Sequence, residues 1–279
     1  MTRKTAWFLA VGVLVGSMGA AEDYLLPGFA WHLPGKALNT WTSELYLTNT
    51  DSAPAVVVPA GLLSGRSRNE HPCLPFIRPL EIGPHATVLV TAEQLSRDLG
   101  CFDQLVGGLV LSGPAGIVIG SRMINHLAGA VGLLSGFGQE IPGTPFVDLP
   151  RPGATYMLPA LATDSIGCAA PRVESYVAFA NPGSSIVEVF LTSSAKMGLL
   201  VVGNGVVGIT PFRLQVPALG WVQVRIAQTP PIEGGCGNFG LVDLTFETTG
   251  PVGVFGSVVD RSSQDPRTVL PVAWSQPKP

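Results

Sequence analysis

Charge is what this chain has least of: Asp, Glu, Lys and Arg make up 13% of its 279 residues, and 16 basic against 19 acidic side chains leave a formal net charge of −3. A protein that grips phosphates concentrates Lys and Arg on one face. Here Arg66 and Arg68 in a polar stretch are the nearest approach to a cluster, so nucleic acid is excluded as a partner. Histidine is nearly as scarce, and His32, His71, His85 and His126 all fall in the first half. The second half therefore has no imidazole to offer acid–base or metal chemistry. No G-x-S-x-G nucleophile elbow occurs, and the acids are too scattered to point to a glycosidase pair. Long apolar runs are missing too: the stretch Ala6 to Val15 is too short to span a bilayer, and nothing later reaches that length.

What is plentiful is glycine and proline, 34 and 25 residues, set in a chain that is 46% hydrophobic. That balance excludes disorder and a helical bundle, and fits many short strands joined by Gly and Pro turns. Met1-Thr2-Arg3-Lys4, the apolar run, and the small residues Gly16-Ser17-Met18-Gly19-Ala20-Ala21 have the form of a signal peptide over residues 1–21. Export to the periplasm or the cell exterior is expected, with no membrane span after cleavage. Taking Arg3 and Lys4 from the 16 basic residues leaves 14 against 19 acidic ones.

The chain repeats itself. Ser43-Glu44-Leu45-Tyr46-Leu47-Thr48-Asn49 is echoed by Ser175-Tyr176-Val177-Ala178-Phe179-Ala180-Asn181 at an offset of 132 residues, and Gly116-Ile117-Val118-Ile119-Gly120-Ser121 by Val252-Gly253-Val254-Phe255-Gly256-Ser257 at 136. Both halves read as strands of five to eight residues separated by turn signals such as Gly113-Pro114 and Gly250-Pro251, with inward and outward residues alternating. Thr91-Ala92-Glu93-Gln94 has the form of a capping box and predicts one short helix. Tyr24 to Pro34 reads as an extended, proline-containing lead. The fold class expected is all-β, two tandem immunoglobulin-like antiparallel β-sandwich domains related by internal duplication, over residues 22–146 and 155–279 with a linker at 147–154.

Four cysteines in an exported chain are expected to be bridged. Cys101 and Cys236 lie 135 residues apart, close to the repeat offset, and so occupy equivalent places. Each should find a partner locally, which favours Cys73 with Cys101 and Cys168 with Cys236. The glycine-rich segment from Leu127 to Ala154 carries too many apolar side chains for a solvated linker, among them Leu133, Leu134 and Phe137; it either packs between the domains or meets a partner.

Other motifs weaken on inspection. Gly203-Asn204-Gly205-Val206-Val207-Gly208 matches a dinucleotide fingerprint in letters only, since Ile209-Thr210-Pro211 cannot open the helix that would hold a pyrophosphate. His71, Cys73, His85 and Cys101 are irregularly spaced for zinc. Asp260, Ser262 and Asp265 could offer oxygens to calcium, but a turn ahead of Pro266 accounts for them; Asp260 and Asp265 are kept as interaction-loop candidates. Trp31, Trp41, Trp221 and Trp274 are far apart, and tryptophans on sandwich strands usually pack inward. No catalytic residue, metal or cofactor is assigned.

Gly120-Ser121-Arg122-Met123-Ile124-Asn125 followed by Gly136-Phe137-Gly138-Gln139-Glu140-Ile141-Pro142, then Leu158-Pro159-Ala160-Leu161, and Ser257-Val258-Val259-Asp260 with Asp265-Pro266, is similar to a family of secreted bacterial tandem β-sandwich proteins with no assigned chemistry. The resemblance implies the fold and no catalytic residue. It differs between halves, Ser-Arg-x-x-Asn in the first and Ser-Val-Val-Asp in the second. The function expected is that of an exported, non-catalytic structural or protein-interaction protein with an extracytoplasmic protein or glycan as partner. The alternatives are a module binding a glycan or another extracellular ligand and, third, a hydrolase with an unrecognised site.

Overall fold

The computed structural model describes residues 21–31, 33–34, 40–64, 78–98, 105–126, 136–164, 173–193, 197–201, 207–228, 239–260 and 265–275. In chain order the first half contains β1 (Ala21–Trp31), β2 (Leu33–Pro34), β3 (Thr40–Asn49), β4 (Ala55–Ser64), β5 (Leu80–Ile82), β6 (Thr87–Thr91), α1 (Ala92–Asp98), β7 (Leu105–Pro114), β8 (Ile117–His126), β9 (Gly136–Pro142), β10 (Thr144–Pro145) and a 3-10 turn (Phe146–Asp148). The second contains β11 (Thr155–Asp164), β12 (Val173–Asn181), β13 (Val187–Ser193), β14 (Met197–Val201), β15 (Val207–Ile209), β16 (Phe212–Val216), β17 (Gly220–Gln228), β18 (Phe239–Thr248), β19 (Gly253–Asp260), β20 (Pro266–Val269) and β21 (Val272–Trp274).

The chain is all-β and its strands form two antiparallel sandwiches with the same pairing. In the first, β10-β1-β7-β4-β5 faces β6-β3-β8-β9; in the second, β21-β11-β18-β13-β16 faces β17-β12-β19-β20. The strands nest: β4–β5, β3–β6 and β1–β7 are successive antiparallel pairs, repeated as β13–β16, β12–β17 and β11–β18. Alternation supplies the cores. Along β8, residues Ile117 to His126 alternate buried and outward without a break. Leu26, Phe29, Leu45, Leu47, Leu109 and Ile141 fill the first core, and Leu158, Val177, Phe179, Leu191, Phe246 and Val254 the second. Each such fully buried side chain stabilises by about 1.5–3 kcal/mol, and the Phe179 and Phe246 rings meet edge to face at 6.0 Å.

The duplication extends to single hydrogen bonds. Buried Asn49 donates from Nδ2 to the carbonyls of Ala53 (2.7 Å), Ile82 (3.4 Å) and Gly83 (3.1 Å), and its Oδ1 accepts from the Asp51 N–H (3.0 Å). Buried Asn181 donates to Ser185 (2.8 Å), Val216 (3.1 Å) and Pro217 (2.9 Å) and accepts from Gly183 N–H (2.9 Å). Each asparagine thus ties its own turn to the start of a second one, the turn after β5 in the first half and after β16 in the second. His85 and Leu219, with φ of 49° and 51°, occupy the matching left-handed position there. Ser43 accepts from the Ala30 N–H and Ser175 donates to the Ala162 carbonyl, joining the same two strands in each half.

Two details differ from the sequence reading. The proline-containing lead is a full strand, β1, and Leu158-Pro159-Ala160-Leu161 lies in its twin, β11. Both prolines sit where the ladder shifts register, between Leu26 and Phe29 and between Leu158 and Leu161, so no ladder N–H is missing. The second textual echo is also one residue out. Thr48 stands opposite Val118 and Ala180 opposite Gly253. The aligned pairs on this strand are therefore Val118 with Gly253 and Gly120 with Phe255, 135 residues apart, the spacing of Cys101 and Cys236. A one-residue slip exchanges the faces of a strand, and the consequence is felt at the site below. The N-cap half of the expected capping box is present: Thr91 Oγ1 accepts from the Gln94 N–H at 3.2 Å, opening α1.

Candidate functional site

The two sandwiches share a seam. Ala178 and Ala180 of β12, Trp221 of β17 and Phe255 of β19 belong to the core of the first sandwich although their strands are in the second. Trp221 donates its indole N–H to the Pro27 carbonyl at 2.8 Å in a buried setting. The backbones approach closely because small residues line the contact. A Cβ on Gly28 would lie 2.6 Å from the Phe255 ring, one on Gly253 2.4 Å from Leu25, and one on Gly108 3.1 Å from the Ala180 methyl. Beside this apolar patch, Ser257 Oγ donates to Gln139 Oε1 (2.8 Å, buried) and Thr268 Oγ1 donates to the Glu140 carbonyl (2.7 Å). A single parallel bridge, Gly220 with Ser64, also joins β17 to β4. The segment after Asn125 contributes as far as it is described: Ile141 and Leu149 are buried, Phe146 packs against the core, and Pro150 accepts from the Val252 N–H. Residues 147–154 are thus held against both halves at Leu149 and Pro150.

The face of β12, β17 and β19 that meets the first sandwich has a counterpart in the first sandwich itself, the outer face of β3, β6 and β8, and that counterpart is open. Here the register decides the chemistry. Tyr46 stands where β12 has Ala178, and Gly120 where β19 has Phe255. A groove of about 500 Å³ runs along this face, lined by Tyr46, Thr48, Val118, Gly120, Glu140 and Pro142. Thr268 and Leu270 of the second sandwich close one side. Tyr46 donates its hydroxyl to Glu44 Oε2 at 2.8 Å. Burial first, then the hydrogen bond and charge of Glu44, push that hydroxyl above its ordinary value of 10.0, while Arg122 beside it pulls the other way. Thr48 and Thr87 share a hydroxyl hydrogen bond at 2.9 Å on the same face.

The residues singled out from sequence are distributed as follows. Cys73, Cys101, Cys168 and Cys236, with Leu133 and Leu134, lie outside the described residues, as do His32 and His71. Phe137 is in β9 rather than a loop. Asp260 ends β19, and its N–H meets the Asp265 carbonyl at 3.2 Å. Among the described residues no group of three or more His, Asp or Glu side chains is placed to hold a metal ion. His85 lies in a turn, and His126 at the end of β8 meets Thr42 Oγ1 at 2.7 Å. Trp221 is buried in the seam, whereas Trp274 is exposed on the edge strand β21. Sequence reading missed the Tyr46 groove altogether; the signal available was the unequal pair Tyr46 and Ala178 within the first repeat.

No protein-family model and no curated protein matches the chain. Among solved structures it is similar to the C-terminal domain of the Streptococcus pyogenes antigen I/II-family protein AspA, at 9% identity and a TM-score of 0.23, over 93% of this chain and 100% of that one. Among the described residues no helix is long and apolar enough to cross a membrane.

Proposed function

We propose that this chain is an exported, non-catalytic structural or interaction protein, in which two sandwiches act as one rigid body presenting the outer face of the first. The observation that carries the reading is the seam: the core of the first sandwich runs into the second through Ala178, Ala180, Trp221 and Phe255. Interfaces between independently moving domains are more polar and less complete. A continuous apolar seam fits a scaffold whose parts hold a fixed relation, rather than a hinge closing on a substrate. Export follows from residues 1–21 read as a signal peptide.

Three measurements test it. The full chain unfolds in one cooperative transition, and N-terminal sequencing of the secreted material begins at Glu22. A panel of ester, glycoside and peptide substrates yields no turnover. Turnover abolished by replacing any one of the four histidines would overturn the non-catalytic reading, and two separate unfolding transitions would overturn the rigid-body one.

A further inference from the structure

The geometry points to a saccharide-binding site in the groove over Gly120, at the open face of the first sandwich and completed by the second. Four observations converge. The floor is empty by construction: a Cβ at Gly120 would meet nothing within 4 Å. Beside it across the strand pair stands Tyr46, half-buried and opposite Gly120 in the ladder, so one flank of its ring borders a residue without a side chain. Groups that exchange hydrogen bonds with hydroxyls rather than with a single charge accompany it: Glu44 and Arg122 beside the Tyr46 hydroxyl, and Glu140, Thr48 and Thr268 in the lining of the groove. The walls, Val118, Pro142 and Leu270, are apolar, and the volume of about 500 Å³ lies within the range of small-ligand sites and admits a short oligosaccharide.

The other occupants fit less well. A phosphate would face two carboxylates with one guanidinium in compensation. A second sheet packing flat, as the first sandwich packs on β12 and β19, needs the small residues found there; Tyr46 in place of Ala178 and Val118 in place of Gly253 obstruct it. An aromatic ring with a polar tip, next to an open floor and accompanied by hydrogen-bonding groups of both kinds, is amphipathic in the way a pyranose is, apolar on its faces and polar at its rim. The site rests on the scaffold reading for its far wall, Thr268 and Leu270, and the two are told apart because loss of binding with a single unfolding transition retained sinks only the site.

The test titrates the full chain with cellotetraose, xylotetraose, maltotetraose, mannotetraose and chitotetraose by calorimetry, at low and high salt. At least one binds, with an affinity that salt leaves unchanged, because the ligand is neutral. Tyr46→Ala weakens it by about tenfold or more, and so does Gly120→Val, which fills the floor. Gly120→Val points into open space and keeps the thermal midpoint of the parent, so its loss of binding cannot be ascribed to unfolding. Tyr46→Phe keeps the ring and retains most of the affinity. Binding of none of the five, binding indifferent to Gly120→Val, or displacement of the sugar by a tetralysine peptide in a salt-sensitive manner would each overturn the proposal, the last by making the groove a site for cations.

Discussion

Replacing the twin asparagines provides the sharpest test of how the fold is held. Asn181→Ala removes four hydrogen bonds at 2.8–3.1 Å, three to the carbonyls of Ser185, Val216 and Pro217 and one from the Gly183 N–H. The amide has two N–H groups for three carbonyls, so the net loss is smaller than the tally. At about 1 kcal/mol per bond, plus about 1–3 kcal/mol for polar groups left buried, and with water able to reach the turn side, about 2–4 kcal/mol follows. Against a typical 5–15 kcal/mol for a domain this is a large fraction. Asn49→Ala, with the longer contact of 3.4 Å to Ile82, sits at the lower end of the same range. Asn181→Asp separates hydrogen bonding from packing. It retains the acceptor for Gly183 but turns a second oxygen toward three carbonyls, which disfavours the ionised form and raises the folded-state pKa. A raised carboxyl pKa stabilises below the unfolded value, near 3.9, and that contribution is lost as pH rises through the folded value. Asn181→Asp is therefore less stable than Asn181→Ala at neutral pH and recovers on acidification. Urea unfolding followed by tryptophan fluorescence reads all three. A loss below about 0.5 kcal/mol for Asn181→Ala, or an aspartate variant as stable as the parent at neutral pH, would refute the reasoning.

Trp221→Phe keeps an aromatic ring in the seam but removes the pyrrole portion and strands the Pro27 carbonyl, and costs about 1–3 kcal/mol in denaturant unfolding. Gly28→Val forces atoms into the 2.6 Å approach to Phe255 and destabilises by about 1–3 kcal/mol or more, with a drop in thermal midpoint. Leu219→Gly relieves a left-handed backbone at an exposed position and stabilises by up to about 1 kcal/mol, measured the same way. The Tyr24 hydroxyl, pushed up to about 12 by burial and by its hydrogen bond to Glu22, stays protonated in ultraviolet titration while ordinary tyrosines ionise. Its contribution to stability is present below pH 10 and lost as pH rises toward 12, a loss that Tyr24→Phe removes. Non-reducing peptide mapping finds Cys73 with Cys101 and Cys168 with Cys236; a Cys73–Cys168 peptide would defeat the local pairing.

The sandwich class could be read from the sequence because its main signals are local. Alternation in Leu45 and Leu47 or Val177 and Phe179, turn pairs such as Gly113-Pro114, and the capping threonine each act within a few residues. The matched asparagines were visible as letters, but their role depends on carbonyls more than thirty residues away and could not be. β1 and β11 were hidden by Pro27 and Pro159, residues that disqualify a regular strand and are tolerated only at a bulge. The echo of Gly116 to Ser121 with Val252 to Ser257 misled by one residue because both segments are small and aliphatic, so letters match equally well in two registers. That slip concealed the site, since only the ladder puts Gly120 in the place of Phe255. The groove was illegible for a further reason: Thr268 and Leu270, its far wall, come from the other half of the chain.

The same comparison sets the two outer faces apart from the seam. In the seam, the β1–β7–β4 sheet of the first sandwich lies on the β12–β17–β19 face of the second, and the closest approaches are made by Gly28, Gly108, Ala178, Ala180 and Gly253. Repeating that step at either end would use the outer face of β3 and β8, or the outer face of β11 and β18. On the first, Ala178 and Gly253 are replaced by Tyr46 and Val118; on the second, the place of Gly108 is taken by Asp243, whose carboxylate accepts the Ala160 N–H at 2.8 Å. A carboxylate buried against another sheet would lose its water without gaining a cation, and a tyrosine cannot flatten into the space of a methyl. Both outer faces thus lack the small residues that let the sheets of the seam approach. On the first of them, outside either core, a glycine floor, a tyrosine and a set of hydrogen-bonding side chains meet along one groove.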